Sequence, residues 1–256
     1  MKFDADLFES LTPMCRDKVS SFIEIESTNI EAKTAVMTGD AQSGNIYITE
    51  FQTRGRGRGD HQWMCPAGEG LLFSIVLDPD VDIEYWYRMS LAVGLAIVDI
   101  TRSLGVDTMM KWPNDIYHED KKLGGILIET VKDKLVVGVG LNVNVATFPN
   151  ELSQRATSIR LVLGKKIERE ELLSKLIAAI YQNGSLIGVS FSSLLDRVQG
   201  CLYMKGNLVS MNTPEGKLIG KLVGLSEDGY LQIEEMSETS TVREVLHASE
   251  IRKLEG

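Results

Sequence analysis

Three arginines alternate with three glycines in Arg54-Gly55-Arg56-Gly57-Arg58-Gly59, directly after the strand-like run Ile46-Tyr47-Ile48-Thr49-Glu50-Phe51. Glycine at every second place lets the backbone approach a ligand closely and leaves its N–H groups free. Arginines between them supply planar, permanently charged forks that suit carboxylate and phosphate oxygens. Trp63 follows with a flat face on which a base could stack. Such a loop is suited to closing over an anion. Taken alone, it reads equally as a solvated basic loop or an RNA-binding Arg/Gly segment.

Three further blocks follow in order: Lys111-Trp112-Pro113-Asn114-Asp115, then Lys121-Lys122-Leu123-Gly124-Gly125-Ile126-Leu127-Ile128-Glu129, then Val136-Val137-Gly138-Val139-Gly140-Leu141-Asn142-Val143-Asn144. With Ser27-Thr28-Asn29 near the start, these blocks in this order resemble the biotin–protein ligase family. The resemblance is strong from residue 23 to residue 144 and weak beyond.

The resemblance implies a two-step reaction with ATP, biotin and Mg²⁺. Biotin's carboxylate attacks the α-phosphate of ATP to give biotinyl-5′-AMP, and a lysine of a biotin carboxyl carrier domain then takes the biotinyl group. A carboxylate meeting a polyphosphate is repelled, so cations at the meeting point are the first requirement. The resemblance gives that catalytic role to Lys122, Arg56 and Arg58. Lys121 competes with its neighbour, but the motif K-[LM]-[GA]-G favours Lys122. An isolated lysine in a polar turn is ordinarily a solvated charge, and only the motif reverses that.

Biotin is a small apolar bicycle with a ureido group and calls for a snug pocket with few polar partners. The matching positions are Ser27, Thr28, Gln52, Gly55 and Arg56, with Gly125 and Gly138 giving backbone access. Ser27 or Thr28 is also a good helix N-cap. On the nucleotide side the matches are Arg56, Arg58, Trp63, Lys122, Asn142 and, from Ser249-Glu250-Ile251-Arg252, Arg252. A barrel-edge arginine is the ordinary alternative for Arg252. Asp115, beside Asn114, is a candidate to orient the loop arginines or hold Mg²⁺, although a Pro-Asn-Asp turn explains itself. The loop departs from the common G-R-G-R-x-G-R-x-W at Asp60 and His61, where a glycine and an arginine are usual, while its length to Trp63 is kept.

The elements that must position these groups follow from periodicity. Residues 1–20 carry a loose amphipathic helical pattern, 22–25 a strand, and 28–37 a helix stopped by Gly39. Strands are expected at 46–51, 71–77, 108–112, 123–130 and 135–143, the last two joined as a hairpin across 131–134. Helices are expected at 83–104, 168–187 and 191–199. This pattern is α+β: a mixed sheet with flanking helices, of the class II aminoacyl-tRNA synthetase/biotin synthetase type by resemblance. After Gly200 short alternating runs separated by Pro-Glu-Gly and Glu-Asp-Gly turns read as a small β module, by resemblance an SH3-like barrel. The expected division is 1–207 for the ligase domain and 208–256 for the barrel. No DNA-binding helices are seen ahead of Phe22, as in the monofunctional members of the family.

Composition narrows the field. The 256 residues are 43% apolar and 25% charged, with a net charge of −9, which disfavours a general nucleic-acid binder. The start is acidic with no apolar run, and the longest apolar segment noted, 91–98, is too short for a span. Cys15, Cys65 and Cys201 show no C-x-x-C spacing and read as reduced thiols of a cytoplasmic protein. His61, His118 and His247 are scattered, against a zinc site. The rivals are a lipoate–protein ligase, which lacks the K-W-P-N-D block, and a non-catalytic nucleic-acid-binding protein using its Arg/Gly loop. The expected partners are the carrier domain and the small substrates, with no nucleic acid and no membrane; homodimers are frequent in the family.

Overall fold

The computed structural model describes residues 2–59, 61–236, 241–248 and 251–254. The chain enters through α1 (Ala5–Leu11), β1 (Val19–Ile25), α2 (Thr28–Thr38), β2 (Ile46–Gln52) and β3 (Gly70–Leu77). A 3₁₀ segment, Ile83–Arg88, leads into α3 (Met89–Ser103), followed by β4 (Met109–Lys111), β5 (Asp115–His118), β6 (Lys121–Val131) and β7 (Lys134–Asn142). Then come α4 (Asn150–Ser153), α5 (Ile159–Leu163), α6 (Arg169–Val189) and α7 (Phe191–Gly200). The chain ends in β8 (Leu208–Thr213), β9 (Gly216–Leu225), β10 (Leu231–Glu235), β11 (Val242–Val245) and β12 (Arg252–Lys253).

Seven strands form one mixed sheet in the order β1-β2-β3-β7-β6-β5-β4. β1 and β2 are parallel, as a crossover through α2 requires, and the other neighbours are antiparallel. β3 is buried along its whole length, which explains its unbroken apolar run in place of alternation. α3 is buried at ten of its fifteen positions and packs on α6. The expected α+β architecture is the one observed.

Some local expectations need correction. The first two turns of the expected 83–104 helix are 3₁₀, where Tyr85, Trp86 and Tyr87, weak helix formers, stand in a row. β5 was hidden behind the Pro-Asn-Asp turn signal, and α4, α5, β11 and β12 are too short to leave a periodic trace. Ser27 occupies the N-cap position of α2, but its side chain makes no capping bond there. Among the described helices α6, rather than 91–98, has the length and apolar content of a membrane span. Its apolar side (Leu172, Leu173, Leu176, Ile177, Ile180) is spent on the core instead.

A buried ion pair anchors the sheet behind the Arg/Gly loop. Arg169, at the start of α6, meets Glu50 of β2 at 2.9 and 3.0 Å and donates to Gly70 O at 3.1 Å. The Phe3 amide also donates to Glu50. Such a pair fixes geometry more than it adds stability, because desolvation offsets most of the attraction.

The five C-terminal strands form an antiparallel sheet in the order β11-β10-β9-β8-β12, consistent with an SH3-like domain. Its inner residues Val209, Leu222, Leu231 and Ile233 belong to the same continuous apolar cluster as α3 and the large sheet. Its β9–β10 turn docks on the ligase side. Trp112 Nε1 donates to Gly229 O at 3.2 Å, Tyr87 Oη to Asp228 O at 2.8 Å, and Arg88 reaches Asp228 at 2.8 Å while stacking on Phe191 at 3.9 Å.

Candidate active site

A cleft of about 660 Å³ opens over one face of the large sheet, bounded by the start of α2, the 53–63 loop, the β4–β5 turn and the segment around α4. That volume suits a ligand of nucleotide size. A row of directly paired residues crosses its floor: Gly140 on β7, Gly125 on β6, Asp115 on β5 and Lys111 on β4. Residues in one cross-strand row share a face, and adjacent strands lie about 4.8 Å apart. Two glycines at one end and two charges at the other therefore make a strip that is open, then ionic.

The Arg/Gly loop folds back on itself as a narrow hairpin. Thr53 N and Arg54 N bond to Ile25 O and Glu26 O at 2.9 Å each, Gly57 N to His61 O at 2.7 Å, and Trp63 N to Gly55 O at 2.9 Å. A Cβ on Gly55 would lie 2.2 Å from Trp63 O, so the hairpin closes only with glycine there. Arg56, Arg58, His61 and Trp63 line the cleft. Arg54 faces outward, 3.1 Å from Glu26 and largely exposed. Asp60 lies outside the described residues.

Trp63 lies flat over the glycine strip. A Cβ on Gly140 would fall 2.5 Å from its ring and one on Gly125 3.3 Å. Its Nε1 is buried with no partner among the described residues, and so is Asn142 Oδ1, although Asn142 Nδ2 donates to Thr157 O at 3.1 Å. Two unmet polar atoms in the wall of a cleft are the kind of feature a bound ligand satisfies.

At the other end Gln52 Oε1 accepts from Thr28 N at 2.9 Å and from Thr28 Oγ1 at 3.3 Å. The buried Ser74 hydroxyl sits 2.7 Å from Thr28 Oγ1 and 2.6 Å from Asn29 Oδ1. Asn29 Nδ2 donates to Glu129 Oε2 at 2.9 Å, and Lys33 donates to Glu129 Oε1 at 2.7 Å. Arg56 stands 3.7 Å from the same carboxylate. Burial pushes the Glu129 carboxyl up, but bonds from Lys33 and Asn29 and the charges of Lys33 and Arg56 outweigh it and hold it below its ordinary value. Gly138 faces this network: a Cβ there would lie 2.0 Å from Asn29 Oδ1. Its missing side chain makes room for Asn29, and Gly138 itself lines the cleft.

Lys122 projects into the cleft and Lys121 does not. A bulge at Leu123 lets Gly124 pair with Ile116 and Lys122 with Tyr117, leaving Lys121 opposite His118 on the other face. Lys122 Nζ lies 2.7 Å from Asp115 Oδ1 and 5.6 Å from the Trp63 ring centroid. Its backbone is fixed by Arg155 O at 2.8 Å and Thr157 N at 3.0 Å. Asn114 ties the turn to β6 through Ile126 O at 2.9 Å and accepts from Arg58 Nη1 at 3.4 Å. It is Asn114 that meets a loop arginine; Asp115 meets Lys122.

Arg252 is not brought into the cleft. Ala248 and the buried Ile251 line it, whereas Arg252, exposed and in the strand paired to Ser210, is not among the lining residues. Ser249 and Glu250 lie outside the described residues. Sequence reasoning had not singled out Asn29, Lys111, Tyr117 and Arg155, which line the cleft, or Glu129, which braces it. Lys111, Asn29 and Glu129 stood inside the quoted blocks; Arg155 lies in a stretch with no pattern. Among the described lining residues five cations (Arg56, Arg58, Lys111, Lys122, Arg155) face the single carboxylate of Asp115, in a chain of net charge −9. The cleft is built for a polyanion.

Residues 21–145 match the model of the Biotin/lipoate A/B protein ligase family. The chain is 32% identical to the biotin protein ligase of Aquifex aeolicus solved in complex with biotin and ATP, covering 93% of this chain and 100% of that one at a TM-score of 0.83. It is 30% identical over 215 residues to the bifunctional ligase/repressor BirA of Bacillus spizizenii, covering 79% of this chain and 66% of that relative. It is 38% identical over 157 residues to the biotin–[acetyl-CoA-carboxylase] ligase of Mycobacterium tuberculosis, covering 59% of this chain and 58% of that relative. The chain thus spans just under two thirds of the length of the Bacillus relative. Sequence and fold agree, and the chain belongs to the biotin protein ligase family.

Proposed function

We propose that the chain is an ATP-dependent biotin–protein ligase that makes biotinyl-5′-AMP and passes the biotinyl group to a lysine of a biotin carboxyl carrier domain. The observation that carries this reading is the convergence of Lys122, Arg56 and Arg58 on one cleft that also presents the neutral hydrogen-bonding groups of Ser27, Thr28 and Gln52. The neutral groups take the ureido bicycle. The cations take the carboxylate and the α-phosphate, and Trp63 offers its ring to the adenine.

In the first step a carboxylate oxygen of biotin bonds to the α-phosphorus, and the bond from that phosphorus to the bridging oxygen breaks. Pyrophosphate leaves with the electron pair. Lys122 offsets the charge that gathers there, and the loop arginines hold the phosphate; preorganised charge of this kind acts most strongly where water is excluded. In the second step the neutral amine of the carrier lysine attacks the acyl carbon, AMP departs, and one proton is released.

ATP would arrive as its Mg²⁺ complex. Among the described residues no cluster of three or more His, Cys, Asp or Glu side chains could cage a cation, and Asp115 is already engaged by Lys122. Asp115 would then orient Lys122 as its first role, and the ion would be held mainly by phosphate oxygens and water, with Asp115 the carboxylate at hand. Buried free thiols at Cys15, Cys65 and Cys201 suit a reducing cytoplasm; burial pushes the Cys65 thiol up to about 12, so it is inert.

Incubation of the protein with ATP, Mg²⁺ and either biotin or lipoate, followed by mass spectrometry, tests the reading. Biotinyl-AMP with biotin and nothing with lipoate is the expected result. An adenylate with lipoate alone would favour the lipoate ligase alternative.

A further inference from the structure

The groups behind Thr28 form one hydrogen-bonded chain whose direction is fixed by a charge. Ser74 on β3 pairs directly with Gly138 on β7, and the room left by that glycine holds Asn29. Ser74 is fully buried and Asn29 is 3% exposed, so each must find its partners inside the protein.

Glu129 sets one end of the chain. Lys33 holds it ionised at 2.7 Å, and an ionised carboxylate only accepts. The nitrogen of the Asn29 amide must therefore face it, at 2.9 Å, with Leu127 O a second acceptor at 3.3 Å. That turns Asn29 Oδ1, which also only accepts, onto the Ser74 hydroxyl at 2.6 Å. A hydroxyl carries one proton. Ser74 spends its proton on Asn29, so in its 2.7 Å contact with Thr28 Oγ1 it can only accept, and Thr28 donates. The other acceptor near the Thr28 proton, Gln52 Oε1, lies farther off at 3.3 Å. Both acceptors belong to the protein. Thr28, which lines the cleft, thus keeps lone pairs and no proton for a ligand.

We propose that Glu129, Asn29 and Ser74 are positioning residues that make Thr28 an obligatory acceptor, so that the cleft selects a ligand with an N–H donor at that point and rejects one with an acceptor there. The proposal rests on the ligase reading above, under which the donor is a ureido N–H of biotin. Ser74 and Glu129 act from behind the cleft lining, through Asn29 and Thr28. To donate to a ligand, Thr28 would have to break a buried bond, and that cost is the source of the discrimination.

The test uses two biotin analogues in which one or the other ureido N–H is replaced by oxygen, which keeps the ring and exchanges a donor for an acceptor. Biotin-dependent exchange of labelled pyrophosphate into ATP gives KM and kcat for each. The wild type should reject at least one analogue by about 10²-fold or more in kcat/KM, as a site built to bond a substrate N–H does. In Ser74→Ala the Thr28 hydroxyl is released and can turn. The KM for biotin should then rise about tenfold, and the discrimination should shrink to about tenfold or less. The KM for ATP, and kcat at saturating biotin, should stay within about twofold. Should Ser74→Ala not fold, the isosteric Glu129→Gln takes its place. Lys33 would hold the new carbonyl oxygen, the new amide nitrogen would face Asn29, and the chain would lose its fixed direction, with the same narrowing expected. Full discrimination in a folded variant overturns the proposal, as does a wild type that uses both analogues as well as it uses biotin. Equal rises in the KM for biotin and for ATP would mark Ser74 as packing only and overturn it too. These outcomes in an active enzyme leave the ligase reading intact, whereas a wild type with no biotin-dependent exchange overturns both.

Discussion

Lys122 on β6 and Asp115 on β5 are locked in an ion pair of 2.7 Å, half-buried at the centre of the cleft and beside the Trp63 ring. The bulge at Leu123 creates this pairing by turning Lys122, and not Lys121, to the side of the sheet that carries Asp115. A carboxylate so placed holds the ammonium aimed into the cleft until the substrates arrive. An incoming carboxylate and phosphate then compete with Asp115 for it.

Lys122→Ala should lose adenylate formation by about 10²–10³ in rate while keeping the fold, because the lysine acts on developing charge and contributes little to packing. Lys121→Ala should be near wild type. Rates of biotinyl-AMP formation for the two variants decide it, and the reverse ranking would contradict the register described for β5 and β6.

Arg58→Gly should let biotinyl-AMP escape. Among the described residues Arg58, which lines the cleft, has one long 3.4 Å contact, to Asn114, so its fork is available for phosphate. Losing one charge-assisted contact of roughly 1.5–3 kcal/mol raises the off-rate by about tenfold or more. Released anhydride would label serum albumin, and equal labelling by variant and wild type would mean that another group retains the intermediate.

Gly140→Ala should displace Trp63, because the new Cβ would fall 2.5 Å from the indole. The predicted result is a folded protein with altered tryptophan fluorescence and a KM for ATP raised more than that for biotin. Equal changes in both would show that the ring serves the whole cleft.

Glu129 supplies a pH signature. Its carboxyl is held below its ordinary value in the folded chain, so the unfolded chain binds more protons as pH falls. Its contribution to stability is full above the unfolded value and is lost as pH drops through the lower folded one. Glu129→Gln should therefore flatten the acid limb of a urea-denaturation series measured from about pH 6 to about pH 3. An unchanged difference between the two proteins across that range would mean the network with Lys33, Asn29 and Arg56 carries no linkage.

The parts legible in the sequence were those with a strong local cause. The unbroken apolar run of β3, the periodic run of α6, the hairpin of β6 and β7, and the glycines at 55 and 125 announced themselves by pattern. The parts that were not legible depend on pairing across the chain. The bulge at Leu123 and the row from Gly140 to Lys111 exist only once four strands are in register, so nothing local set Lys111 apart within its expected strand. Gly138 lines the cleft, but its close approach to Asn29, on a different element 109 residues away, leaves no trace in the local pattern. Arg252 was misplaced for the opposite reason: a short motif match says nothing of strand alternation, which gives the cleft Ile251 instead.

The central claim is that this cleft joins biotin to AMP, and the most direct measurement is mass spectrometry of the small molecules after incubation with biotin, ATP and Mg²⁺. The account predicts biotinyl-5′-AMP and pyrophosphate in equal amounts from the wild type, and little of either from Lys122→Ala. ATP left intact by folded wild-type protein that binds biotin, or an adenylate formed equally well without Lys122, would contradict it.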